Sequence, residues 1–144
     1  MKRVILYAVL LFLAGASNGI MDDLQFHYQD TIFSKLKKER FWNPAISWTN
    51  KYAHDKEGKL IKPLRPKFWG SANFFAFTTD AWHLFKFIHL NALRLLMAFL
   101  FVELLRWDTG NQDDKRTWWG SIIFTWLLIV FVQQMGFILT YNLL

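Results

Sequence analysis

Apolar residues fall into three long runs separated by polar sequence, and these runs predict the elements. The first opens behind Lys2 and Arg3 and stays apolar from Val4 to Met21 with few interruptions. A helix needs roughly 17–25 such residues to cross the hydrocarbon core of a bilayer, so 1–21 reads as a transmembrane helix. Ala14-Gly15-Ala16 behind a short apolar stretch also fits a cleavable signal peptide. The run continues past those small residues, which favours the uncleaved helix. The second run, Ala72 to Trp107, would be about 50 Å long as one helix, well beyond the roughly 30 Å core. Phe74 to Trp82 therefore reads as interfacial and Phe87 to Leu105 as the span. In the third run, 117–141, Ile122 to Val132 is apolar but for Thr125. Thr117, Ser121 and Thr125 recur every four residues there, a row of small side chains that lets helices approach closely in lipid.

The pattern changes over 22–71. Leu24, Tyr28, Ile32 and Leu36 follow Asp22 and Asp23 at four-residue spacing, predicting an amphipathic helix that lies on the membrane or on its neighbours. Asn43-Pro44 breaks it, Lys56 to Lys59 reads as a turn, and Pro63 and Pro66 keep the chain extended. The expected fold is a single all-α membrane domain, 1–144. It has three transmembrane helices, with an external amphipathic helix and loop between the first and second.

Charge adds an orientation. Lys2 and Arg3 before the first helix, and Arg106, Lys115 and Arg116 around the second-to-third connection, belong on the cytoplasmic side. The expectation is a multi-pass protein of a bacterial inner membrane, its N-terminus cytoplasmic. The intervening segment is then outside despite ten Lys/Arg against six Asp/Glu. Eight Trp suit an aromatic belt at headgroup level. The chain has no cysteine, which excludes disulfides, iron–sulfur clusters and thiol-ligated zinc. No basic–aromatic motif points to nucleic acid.

Candidate chemistry sits in the second run. At 100° per residue Asn73, Asp80, His83, Asn91 and Arg94 share an arc of roughly 80°. Ionisable groups at membrane depth are costly and usually paired. With the second and third helices antiparallel, Arg94 is level with Gln133 or Gln134, its expected partner; Glu103 is about 13 Å away along the axis. The same levelling brings Asp22 and His27 toward Asp80 and His83. Asp80, His83, Asp22 and His27 are thus candidate acid–base groups, and Asp80, His83 and His27 candidate ligands of a divalent metal. The plainer reading is that they bond one another and cap helices. His83 and His89 fall on different faces, against a shared haem.

Asn18-Gly19-Ile20-Met21-Asp22-Asp23-Leu24-Gln25-Phe26-His27, Phe41-Trp42-Asn43-Pro44-Ala45-Ile46-Ser47-Trp48-Thr49-Asn50-Lys51-Tyr52, Phe68-Trp69-Gly70-Ser71 and Thr79-Asp80-Ala81-Trp82-His83-Leu84-Phe85 resemble a set of small uncharacterised bacterial integral-membrane proteins. The resemblance covers about the first two-thirds of the chain. It implies a bacterial origin and carries no activity, cofactor or ligand.

The preferred expectation is a non-enzymatic accessory or structural membrane protein engaging lipid or a partner protein at the outer surface. One alternative is a membrane-embedded enzyme acting on a lipid or headgroup through the Asp80–His83 group. The other is a homo-oligomeric pore or transporter lined by Asn91, Arg94 and Gln133.

Overall fold

The structure is a computed structural model that describes residues 2–109 and 115–143. Its helices are α1 (Lys2–Phe26), the short α2 (Glu39–Trp42) and α3 (Pro44–Ser47), α4 (Ala81–Thr109) and α5 (Lys115–Leu143). Single 3-10 turns lie at Tyr28–Asp30, Ile32–Lys35, Trp48–Lys51 and Ala76–Thr78. Among the described residues there is no strand, only two isolated bridges, Tyr52 with Pro66 and His54 with Leu60. Of the polar turn expected over 108–114 between the last two helices, Asp108 and Thr109 instead end α4, and 110–114 lie outside the described residues, as do the side chains of Arg106, Lys115, Arg116, Thr117 and Gln134.

Two stretches are long and apolar enough to cross a membrane, Arg3–Phe26 and Ala81–Leu105; a shorter apolar stretch is Trp118–Gln133. Only 17% of the apolar window of the first and 28% of that of the second is buried. A helix apolar all round belongs in a large core or in lipid. Val4, Phe12, Leu104, Phe124 and Phe131 are all more than half exposed, so the helices are not buried core.

The chain divides into two compact units, one of residues 1–12 and 91–144, the other of residues 13–90. In the first, Arg3 pairs with Glu103 at 3.0 Å, and Tyr7 meets Phe99 with ring centroids 6.1 Å apart. These two pairs step in opposite directions along α1 and α4, so the segments are antiparallel. Leu96, Phe99 and Val102 are buried along α4, and Ala92 and Ala98 beside them are small enough for close packing. Ile122 and Thr125 bury the facing side of α5.

In the second unit, Ala14, Ser17 and Leu24 are buried along α1. His89 Nδ1 on α4 donates to the Ala14 carbonyl at 2.8 Å. Leu24, Tyr28 and Ala81 form a small core, enclosed by Ile20, Phe33, Phe41, Trp42, Trp82 and Phe85. Phe33 stacks on Trp42 at 5.3 Å. Asn43 caps α3, its Oδ1 accepting from the Ala45 N–H, with Pro44 in the first turn where a missing N–H costs nothing.

Two expectations are corrected here. The amphipathic helix from Asp22 to Leu36 does not form. Asp22 and Asp23 lie inside α1, and 28–35 breaks into two 3-10 turns. The Thr31 hydroxyl bonds the Tyr28 carbonyl and the Ser34 hydroxyl the Thr31 carbonyl, each at 2.9 Å. Such local bonds offer the backbone an alternative to helix. Leu24 and Tyr28 are buried as expected, but Ile32 is 71% exposed. The second correction is at the start of the second run. Residues 70–75 form a turn, and α4 begins only at Ala81, so Asn73 is not on the helix that carries His83, Asn91 and Arg94.

Candidate functional site

Asp80 stands immediately before α4 and is 1% exposed. A buried carboxylate requires donors, and this one has them. Its Oδ1 accepts from the His83 backbone N–H at 2.9 Å, the bond of a helix N-cap to the third residue inside. The Thr79 hydroxyl, which bonds the Ala76 carbonyl at 2.7 Å, also lies 3.1 Å from Oδ2. The His83 imidazole closes back on the same carboxylate, with Nδ1 at 2.7 Å from Oδ2 and 2.9 Å from Oδ1. The carboxylate thus fixes the ring, and any chemistry on this histidine runs through Nε2.

The surroundings hold the pair in place. Trp82 meets the His83 ring edge-on at 5.2 Å, and the Lys86 ammonium lies 4.8 Å over the Trp82 ring. On the other side, Asn50 Nδ2 donates to the Thr79 carbonyl at 3.0 Å and to the Arg40 carbonyl at 2.6 Å. One amide therefore ties the helix start to α2.

Asp22 and His27 are exposed. Among the described residues no three His, Cys, Asp or Glu side chains stand close enough to hold a metal ion, so His27 does not complete a ligand set with Asp80 and His83. His89 serves helix packing through the Ala14 carbonyl. In the unit of 1–12 and 91–144, Arg94 Nε donates to Gln133 Oε1 at 2.8 Å, one of the two partners that antiparallel levelling predicts. Asn91 is half-buried.

The motif reading passed over a second feature, the turn 68–75. Ser71 is fully buried; its hydroxyl donates to the Lys51 carbonyl at 2.7 Å and accepts from the Phe68 N–H at 3.3 Å. Gly70 has φ +79, and a Cβ there would stand 2.8 Å from the Phe75 ring. The Asn73 and Phe75 amides both bond the Gly70 carbonyl. The fold thereby presents Trp69, 81% exposed, and Phe74, 76% exposed. The Trp-Gly-Ser string was the available signal: a glycine able to take positive φ beside a large aromatic.

The chain matches no family model, no curated protein and no solved structure with which it was compared.

Proposed function

We propose that this is a small multi-pass protein of the bacterial cytoplasmic membrane that works by binding, as an accessory or structural component. Its N-terminus is cytoplasmic, and the segment between α1 and α4 engages lipid or a partner protein at the outer surface. One observation carries the reading: few residues of the long apolar stretches are fully buried, and every long helix leaves large apolar side chains exposed, Phe12 on α1, Leu104 on α4 and Phe124 on α5. In water that surface would drive aggregation; in lipid it costs nothing. The Asp80–His83 bonds support a non-catalytic role, since the carboxylate is already occupied as a helix cap.

The test is extraction of cell membranes with alkaline carbonate, followed by labelling of single cysteines placed in this cysteine-free chain. The protein stays with the membrane pellet, and an impermeant maleimide labels Lys56→Cys in intact spheroplasts. Release into the supernatant would sink the membrane reading; protection of residue 56 would reverse the orientation.

A second reading keeps one specific support. An imidazole clamped through Nδ1 by a buried carboxylate is oriented for acid–base work at Nε2. Under it the protein is an enzyme on a lipid or headgroup. Turnover of phospholipid by the reconstituted wild type, lost in His83→Gln, would favour it, and no turnover by the wild type would count against it.

A further inference from the structure

The stretch from Lys59 to Thr79 is chemically one-sided. It contains Lys59, Lys62, Arg65 and Lys67 and no acidic residue. The same stretch exposes Ile61, Leu64, Phe68, Trp69, Phe74 and Phe75, from 37% at Ile61 to 81% at Trp69. Isolated exposed apolar side chains are ordinary; a run of them interleaved with cations is not. Large aromatics among lysines and arginines have a natural solvent at the boundary between headgroups and acyl chains. There the rings lie in the apolar zone and the cations meet phosphate.

The presentation is built. Ser71 anchors the turn to the Lys51 carbonyl from a fully buried position. Gly70 at positive φ lets the chain reverse against the Phe75 ring. Further back, the Ala53 amide bonds the Arg65 carbonyl at 2.8 Å and the Lys67 amide bonds the Lys51 carbonyl at 2.9 Å, holding the cationic strip to the segment before it. Trp69 also contacts Phe75 with centroids 6.0 Å apart, and Phe77 stacks on Phe87 of α4 at 4.4 Å. The aromatic tip is thus fixed before it meets anything, so little ordering entropy is lost on insertion.

We infer that the loop 61–75 is a membrane-insertion element that places Trp69 and Phe74 below the headgroups and binds anionic phospholipid through Lys62, Arg65 and Lys67. The inference rests on the membrane reading above and deepens it by naming the lipid class and the residues. A protein partner is the competing occupant. The unbroken positive charge and the continuity of the aromatic tip with the start of an apolar helix favour lipid.

The full chain, reconstituted into vesicles, decides it. Spin labels are attached singly through Phe74→Cys, Glu57→Cys and Phe124→Cys, all at exposed positions. Collisions with oxygen, which partitions into lipid, are compared with collisions with a water-soluble nickel chelate. The expected result is oxygen-dominated collision at 74 and 124 and nickel-dominated collision at 57. Replacing part of the phosphatidylcholine by phosphatidylglycerol should lower nickel access at 74 several-fold. That response should vanish in a Lys62→Gln, Arg65→Gln, Lys67→Gln variant. A label at 74 that behaves like 57 while 124 stays in lipid overturns the insertion and leaves the membrane reading standing. Nickel-dominated collision at both 74 and 124 overturns both. A buried label at 74 indifferent to phosphatidylglycerol or to the triple substitution overturns the anionic-lipid assignment.

Discussion

Three groups meet the Asp80 carboxylate, the His83 amide, the His83 imidazole and the Thr79 hydroxyl, and substituting Asp80 removes all three contacts at once. Asp80→Ala removes the α4 cap and orphans the His83 imidazole, at a cost of about 2 kcal/mol. Asp80→Asn keeps an acceptor for the His83 amide and should cost less. Denaturant unfolding in detergent micelles gives both values; equal losses would mean the cap is not what Asp80 supplies. Tyr28 presents the opposite case. Its hydroxyl is buried without a hydrogen-bond partner among the described residues. Burial, and secondarily Glu39, raises the phenol above its ordinary 10.0. Tyr28→Phe should therefore be neutral or stabilise the fold by up to about 1 kcal/mol. The sign with pH follows from the raised value. The stability tied to the neutral phenol is complete below pH 10.0, the unfolded value, and is lost as pH rises through the higher folded value. The alkaline fall in stability should be shallower in Tyr28→Phe than in the parent.

At the scale of elements, the turn 68–75 is the segment whose geometry one residue most restricts. Gly70→Ala puts a Cβ against the Phe75 ring on a backbone that already disfavours L side chains, and should cost about 1–3 kcal/mol. Ser71→Ala loses a buried hydroxyl that bridges two backbone groups and should cost about 1–2 kcal/mol. Melting curves of the two variants check this, with Asn73→Ala, at an exposed position, as the neutral comparison. The elements also show how far periodicity carries. The long helices were legible because apolar runs of that length have few other fates. The expected helix from Asp22 was not. Four-residue spacing marked Leu24 and Tyr28 correctly as inward, but Thr31 and Ser34 hold their own backbone and end the regular helix. Asp80 and His83 were legible as a pair, because they stand three residues apart. The roles of Asn50 and Ser71 were not, since each acts on carbonyls distant in sequence.

For the whole molecule, the pairing of the long helices rests on apolar and small residues more than on charge. Arg3 and Glu103 meet at 3.0 Å, but the Arg3 side chain is 66% exposed. Exposed pairs contribute about 0.2–1 kcal/mol. Glu103→Gln should accordingly change unfolding in micelles by less than about 1 kcal/mol, whereas Ala98→Leu, at a fully buried contact, should cost about 1–3 kcal/mol through overpacking. The reverse ranking would mean that the ion pair outweighs packing along α4. Arg94 with Gln133 was legible from levelling two apolar runs about a short turn, because helical rise is uniform.

Asn50 makes the segment between α1 and α4 answer as a unit. Its amide holds the Arg40 carbonyl with one bond and the Thr79 carbonyl with another, so α2 and the start of α4 share one clasp. Hydrogen exchange at the Asn43 amide, which closes α2, and at the His83 amide, which closes the α4 cap, should then follow a common opening event. In Asn50→Ala the two rates should separate. A grip on the 40s region would be felt at His83 as a change in how often that helix start breathes.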